Sequence, residues 1–218
     1  MPASADTAWY GEFTAATDYV FRGVSQTLSR PAVHVEYGFE DDSGWYGFLW
    51  ASNVDFTDGE EWEDGAQVEV NVSAGREFGL SERLSASLAG IRYLFPGTDP
   101  GIDYDYTEWL ASLALDDRHR LLIGYSDNVF GSGASGRYYA LTTGLALGRG
   151  LALHLRLGHY DLEDAYDSSY SLAEMAMTGE WRRLHGRLSF IATDEGAREL
   201  FPESTVRNRV VFALTLPF

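Results

Sequence analysis

The chain has 218 residues, no cysteine, and a formal net charge of -17 at pH 7. The missing thiols exclude a disulfide framework, a thiolate metal site and a cysteine nucleophile. The acid excess argues against nucleic acid as a partner, since phosphate binding needs a basic face. No apolar run approaches the roughly 20 residues of a membrane-crossing helix, but this leaves a membrane barrel open, because barrel strands hide their hydrophobicity by alternation.

Residues 1–6 have no apolar stretch, yet Ala3-Ser4-Ala5 looks like the small-residue end of a secretory signal. They read as a flexible signal remnant ahead of a mature start near Asp6. Trp9, Gly11, Phe13, Ala15, Thr17 and Tyr19 then alternate with Tyr10, Glu12, Thr14, Ala16 and Asp18, a strand with one apolar face. Val33, Val35, Tyr37 and Phe39 repeat the pattern, and Asp41-Asp42-Ser43-Gly44 predicts a tight turn into a strand from Trp45 to about Val54. A long acidic loop follows, from Asp55 to Gly65. Val68, Val70 and Val72 alternate with Gln67, Glu69, Asn71 and Ser73, and the chain turns back at Phe78 to Ser81. Leu84, Ala86 and Leu88 predict the next outward face, with a phase shift near Gly90, at a bulge, to Ile91, Tyr93 and Phe95.

Beyond the loop at 96–101, outward faces are marked by Trp109, Ala111, Leu113 and Leu115, then by Leu121, Ile123 and Tyr125. After a Gly/Ser loop they continue with Tyr139, Leu141, Leu145 and Leu147, and with Leu151, Leu153, Leu155 and Leu157. Ala173, Met175, Met177 and Trp181 precede a turn at Arg182-Arg183, and Leu184, Leu188 and Phe190 follow it. The stretch from Arg207 to Phe218 places Val210, Phe212, Leu214, Leu216 and Phe218 on one face and Arg207 and Arg209 on the other. This is a lipid-facing strand with a terminal aromatic that reads as an assembly signal.

About twelve strands emerge, an even number, and long and short connections strictly alternate. That sorting fits short periplasmic turns and longer extracellular loops, with both termini periplasmic. The prediction is an all-β, antiparallel, up-and-down transmembrane β-barrel, one domain over 1–218, in a bacterial outer membrane. Aromatic residues gather at strand ends. Tyr19, Phe21, Trp50, Phe56, Tyr93, Phe95, Tyr125, Tyr138, Tyr160 and Tyr170 lie toward the long loops. Trp9, Trp45, Tyr46, Phe78, Trp181 and Phe218 lie toward the short turns. Both sets read as interfacial belts.

Asp18-Tyr19-Val20-Phe21-Arg22-Gly23-Val24-Ser25-Gln26-Thr27, with Pro31-Ala32, resembles the N-terminal signature of the TorF-type porins, also described as the Gcw_chp family. Gly44-Trp45-Tyr46-Gly47 and the stretch from Trp50 to Phe56 fit the family's next segment. Tyr93 to Gly97, Thr107-Glu108, Gly158-His159-Tyr160 and Phe218 continue the match more loosely. The resemblance implies an outer-membrane protein and a channel. It supplies neither catalytic residues nor a solute.

The faces opposite the apolar rows give the expected pore lining: Glu12, Asp18, His34, Glu36, Glu69, Asn71, Glu108, His154, Arg156, Glu174, Arg187, Arg207 and Arg209. Arg22 joins them if its strand stays regular. Most inward acids come early in the chain and most inward arginines late, which predicts a field across the lumen. The expected partners are outer-membrane lipid and lipopolysaccharide, the outer-membrane assembly machinery, and small ions or polar solutes; no cofactor is expected. A closed structural or adhesive barrel is one alternative. A lipid hydrolase using Ser and His is another, although His185 and Ser189, four residues apart on one strand, are too far apart to bond. A metal role for His154 or His159 is weaker still. The acidic run from Asp58 to Asp64 lacks EF-hand spacing and reads as a solvated loop rather than a calcium site.

Overall fold

A computed structural model describes residues 6–57 and 64–218. In chain order the strands are β1 (Thr7–Ala16), β2 (Val20–Phe21), β3 (Val24–Ser25), β4 (Ala32–Asp41), β5 (Trp45–Asn53), β6 (Val68–Gly79) and β7 (Leu84–Leu94). They continue as β8 (Tyr106–Leu115), β9 (His119–Ser126), β10 (Gly136–Gly148), β11 (Leu151–Asp161), β12 (Ser169–Trp181), β13 (Leu184–Thr193) and β14 (Arg209–Pro217). Twelve of them close into one antiparallel barrel, each paired with its sequence neighbour and β1 sealed against β14; β2 and β3 form a separate small hairpin. Helical turns α1 (Glu163–Tyr166), α2 (Glu195–Leu200) and α3 (Glu203–Val206) sit in the last two long loops.

The period-2 reading decides which side chains meet lipid. Trp9, Leu49, Leu88, Trp109, Leu157 and Val210 stand exposed on the outer wall at 53–64% of their surface. A continuous apolar surface of this kind is stable against hydrocarbon and not against water. The short-turn belt is outward as expected at Trp9, Trp45, Phe78, Trp181 and Phe218.

Two expectations are corrected. Strand β7 has no bulge: its register runs unbroken from Val70–Leu94 to Gly79–Ser85 against β6. Ile91, Tyr93 and Phe95 therefore keep the inward phase of Ser85, Ser87 and Ala89, and Tyr93 and Phe95 are buried. The one shift in the described ladders lies between β10 and β11, at Ala146/Gly148. The belt toward the long loops is also mostly internal. Tyr93, Phe95, Tyr138, Tyr160 and Tyr170 are buried, and Tyr19 packs on Trp50 and His34 inside the wall. Of that set Tyr125 faces outward, beside Trp109 on β8. Position along a strand places a residue at a membrane depth; only its phase says which side of the wall it occupies.

In places an inward aromatic lies directly over a glycine of the wall. A Cβ on Gly38 would meet the Tyr10 hydroxyl at 2.6 Å and the Gly47 carbonyl at 2.8 Å, whereas one on Gly79 meets nothing within 4 Å. Gly38→Val is expected to displace Tyr10 from Glu36 and cost about 1–3 kcal/mol. Gly79→Val should stay within about 0.5 kcal/mol of the parent. Urea unfolding from lipid vesicles measures both.

Candidate functional site: a loop folded into the lumen

The first long connection, residues 17–31, folds inside the barrel instead of standing above it. Its core is the β2–β3 hairpin, whose two-residue turn is Arg22-Gly23. Both have positive φ, 48° and 89°, as a type I′ turn demands. Gly takes this conformation freely; Arg at its position costs about 1–2 kcal/mol, offset by what its side chain reaches.

The Arg22 guanidinium donates from Nη2 to Glu108 Oε2 on β8 at 2.6 Å. Both side chains are almost wholly buried, at 7% and 1% exposure. The cation lies 4.0 Å from the Tyr138 ring centre and 4.6 Å from that of Tyr160, with Phe21 at 4.7 Å. A desolvated cation over aromatic faces gains on the order of 2 kcal/mol. Tyr93 also donates to Glu108, at 3.3 Å, and Tyr170 donates to the Arg22 carbonyl at 2.9 Å.

A second buried pair holds the base of the loop. Arg209 Nη1, on β14, donates to Asp18 Oδ2 at 2.6 Å, and Ser25 donates to Asp18 Oδ1 at 2.6 Å. Tyr19 reaches the far wall, donating to Glu69 on β6 at 3.2 Å. In the strand order β6 and β12 stand opposite one another, so the loop touches both sides of the lumen. Its Val24 joins a buried cluster with Tyr138, Tyr160, Tyr170 and Leu172. Tyr19 and Phe21 pack on a second one containing Tyr93, Phe95 and Tyr106. The long-loop half of the lumen is thus filled with apolar packing around two charge pairs.

The short-turn half is polar. Glu12 and Glu36 are register partners on β1 and β4, and Tyr10 donates to Glu36 at 3.0 Å. On β9, Arg120 donates to Ser112 at 2.9 Å. Arg187 and Arg156 share one carboxylate, Glu174, at 2.6 and 3.5 Å. These three line a cavity of about 110 Å³ with Thr142 and His154, and His154 shares a hydrogen bond with Thr178 at 3.0 Å. In strand order β9 lies opposite β1. Glu12, Glu36 and Arg120 have no ion pair among the described residues, so an acidic arc faces a basic one.

The expected pore residues divide accordingly. Glu12, His34, Glu36, His154, Arg156, Glu174 and Arg187 face the lumen along strands. Glu69, Asn71, Glu108, Asp18, Arg22 and Arg209 are engaged with the inserted loop or the wall beside it. Arg22 points inward from a hairpin tip, not from a continued first strand, which ends at Ala16. Arg207 is exposed and precedes β14; α3 ends just before it, so the closing strand's alternation does not extend to it. Sequence reasoning missed Arg120 as a lumen residue, and Tyr106, Tyr138, Tyr160 and Tyr170 as wall partners of the loop. An unbroken inward phase through each strand is the signal that finds them.

Ser–His contacts do occur across strands. His34 Nδ1 lies 2.8 Å from Ser52 Oγ in the lumen, and His159 Nδ1 lies 3.2 Å from Ser171 Oγ at an exposed position. His34 stacks on Trp50 at 5.2 Å, which makes it part of the aromatic wall. Of the acidic run, residues 58–63 lie outside the described residues; Asp64 accepts from Tyr104 at 3.0 Å and from the Ala66 amide at 2.9 Å.

Solved structures share the architecture. The NanC porin superposes with a TM-score of 0.63 at 6% identity, covering 97% of this chain and 99% of that one. The KdgM porin gives 0.57 at 5% identity, over 96% and 98%. At these identities the likeness concerns the fold. Among curated proteins none matches the sequence. The family model of a bacterial protein of unknown function, Gcw_chp, matches residues 3–204, and the chain belongs to that family.

Proposed function

We propose that this protein is an outer-membrane channel for the passive diffusion of ions or small polar solutes, with the long loops outside and both termini periplasmic. The observation that carries this reading is the two-arc lumen of the short-turn half. Glu12 and Glu36, on β1 and β4, look across at Arg120 on β9, while Arg156 and Arg187 line the wall between and share one carboxylate, Glu174. A wall needed only for shape gains nothing from leaving charges unmatched across a lumen. A water-filled passage tolerates them, and they then set ion selectivity. The charge asymmetry expected along the chain rests here on Arg120, Arg156 and Arg187, because Arg209 is consumed by Asp18 and Arg207 lies outside the strand.

The test is a planar-bilayer measurement in a salt gradient. Arg120→Ala with Arg156→Ala is expected to move the reversal potential toward cation selectivity while the barrel remains folded. An unchanged reversal potential at parental conductance would remove these arginines from the selectivity site. A second reading, a closed structural barrel, is favoured by the apolar packing around the inserted loop; absence of conductance both in the parent and in a variant with that loop released would establish it.

A further inference from the structure

At the mouth, above the inserted hairpin, lies a cavity of about 290 Å³ to which all six long loops contribute. Nine aromatic rings line it, among them Phe56, Phe95, Tyr104, Tyr106, Phe130 and Phe201. The charged residues on its wall are Asp55 and Glu69; no Lys, Arg or His lines it among the described residues. Asp55 is already matched, by Arg30 at 2.6 Å. Glu69 is not. It is 3% exposed, and its described hydrogen bonds, from Tyr19 and Asn71, both fall on Oε1. It has no ion pair among the described residues.

A buried carboxylate without a cation is costly. Aromatic faces attract cations, and do so more strongly when water is excluded. An anion entering this cavity would meet Glu69 and no basic group. A neutral sugar could bond to Ser25, Gln26, Thr205 and the tyrosine hydroxyls of the wall, but it would leave the buried Glu69 carboxylate without a counter-charge. A bulky organic cation gains from both wall components, and the volume, at the small end for ligand sites, limits its size. We propose that this vestibule is a binding site for a small organic cation of the quaternary-ammonium class, held by the ring faces with Glu69 as counter-ion. The site is independent of the channel reading: it requires the loops to form the cavity, and not that the barrel conduct.

The experiment is calorimetric titration of the purified, folded barrel in detergent at pH 8 with choline. The comparison is 3,3-dimethylbutan-1-ol, which has the same shape with carbon in place of the charged nitrogen. Choline is expected to bind about tenfold or more tighter than the alcohol, and Glu69→Gln should abolish that preference. Equal binding of the two, binding of neither, or a preference that survives Glu69→Gln would each overturn the proposal. Should Glu69→Gln fail to fold, as read by heat-modifiability on gels, the choline-to-alcohol ratio of the parent decides the matter alone. Parallel bilayer recordings keep the two ideas apart, since a conducting barrel that ignores choline refutes the cation site and leaves the channel standing.

Discussion

Arg22→Ala is expected to raise single-channel conductance severalfold and, in the same protein, to lower unfolding stability by about 3–5 kcal/mol. The size follows from what the substitution leaves behind. Glu108 is 1% exposed, and its carboxylate then keeps Tyr93 as its described hydrogen-bond donor and no cation. The rings of Tyr138 and Tyr160 lose the guanidinium they face at 4.0 and 4.6 Å. Breaking one partner of a buried pair costs far more than the pair contributes as a whole, so the hairpin's cheapest relaxation is to leave the lumen and let water reach Glu108. The double change Arg22→Met with Glu108→Gln separates the two readouts. It removes the stranded charge, so stability should recover toward the parent while the hairpin's ion pair stays absent. Stability that is unchanged in Arg22→Ala would mean the pair is solvated and the loop is not held by it. Conductance measured in bilayers and urea midpoints in vesicles provide the two numbers.

The second large effect belongs to the outer wall. Leu155→Arg should cost about 2–4 kcal/mol and impair membrane insertion, because residue 155 lies near the middle of β11 with 44% of its surface turned to lipid. Its neighbour Arg156 faces the other way and shares Glu174 with Arg187. Arg156→Leu leaves Glu174 its closer partner at 2.6 Å, so folding should be affected much less. Two adjacent positions with opposite outcomes test the wall's phase directly. Heat-modifiability that ranked them the other way would place β11 inside out.

How far the sequence reaches is visible in these same residues. The alternation of Leu151 to Leu157 against Ala152, His154 and Arg156 is a local property of one strand, and so is the outward row from Val210 to Phe218. Each is legible without knowing any neighbour. Strand number, loop sorting and barrel class follow from repeating that step. The inserted loop is different. Strand-by-strand reading carries Arg22 on in the inward phase of the first strand and so misses the hairpin turn at Arg22-Gly23; it cannot give the loop's destination either. That depends on Glu108, Tyr138 and Tyr160, which reach it only after the wall has curved round. The same dependence misled the placing of the aromatics near the long loops. Tyr93 reads as an interface residue if β7 is allowed a bulge, and as a lumen residue if it is not. Cross-strand register settles the question, and register is a property of pairs of strands rather than of one.

The join between β1 and β14 has a bearing on how the molecule comes to exist. Every other ladder in the barrel links strands that follow one another closely along the chain, whereas here Thr14 meets Thr215, 201 residues away. Gly11 and Phe218 exchange backbone hydrogen bonds at 3.1 and 2.8 Å across the same join. Until that contact forms, the sheet is open, and β1 and β14 each present a row of unpaired backbone groups. Such a row templates foreign strands in water and is prohibitively expensive in hydrocarbon. The search for so distant a partner is also the slowest kind of pairing. The half-built molecule is therefore a hazard to itself for as long as the search lasts, and it has every reason to be escorted.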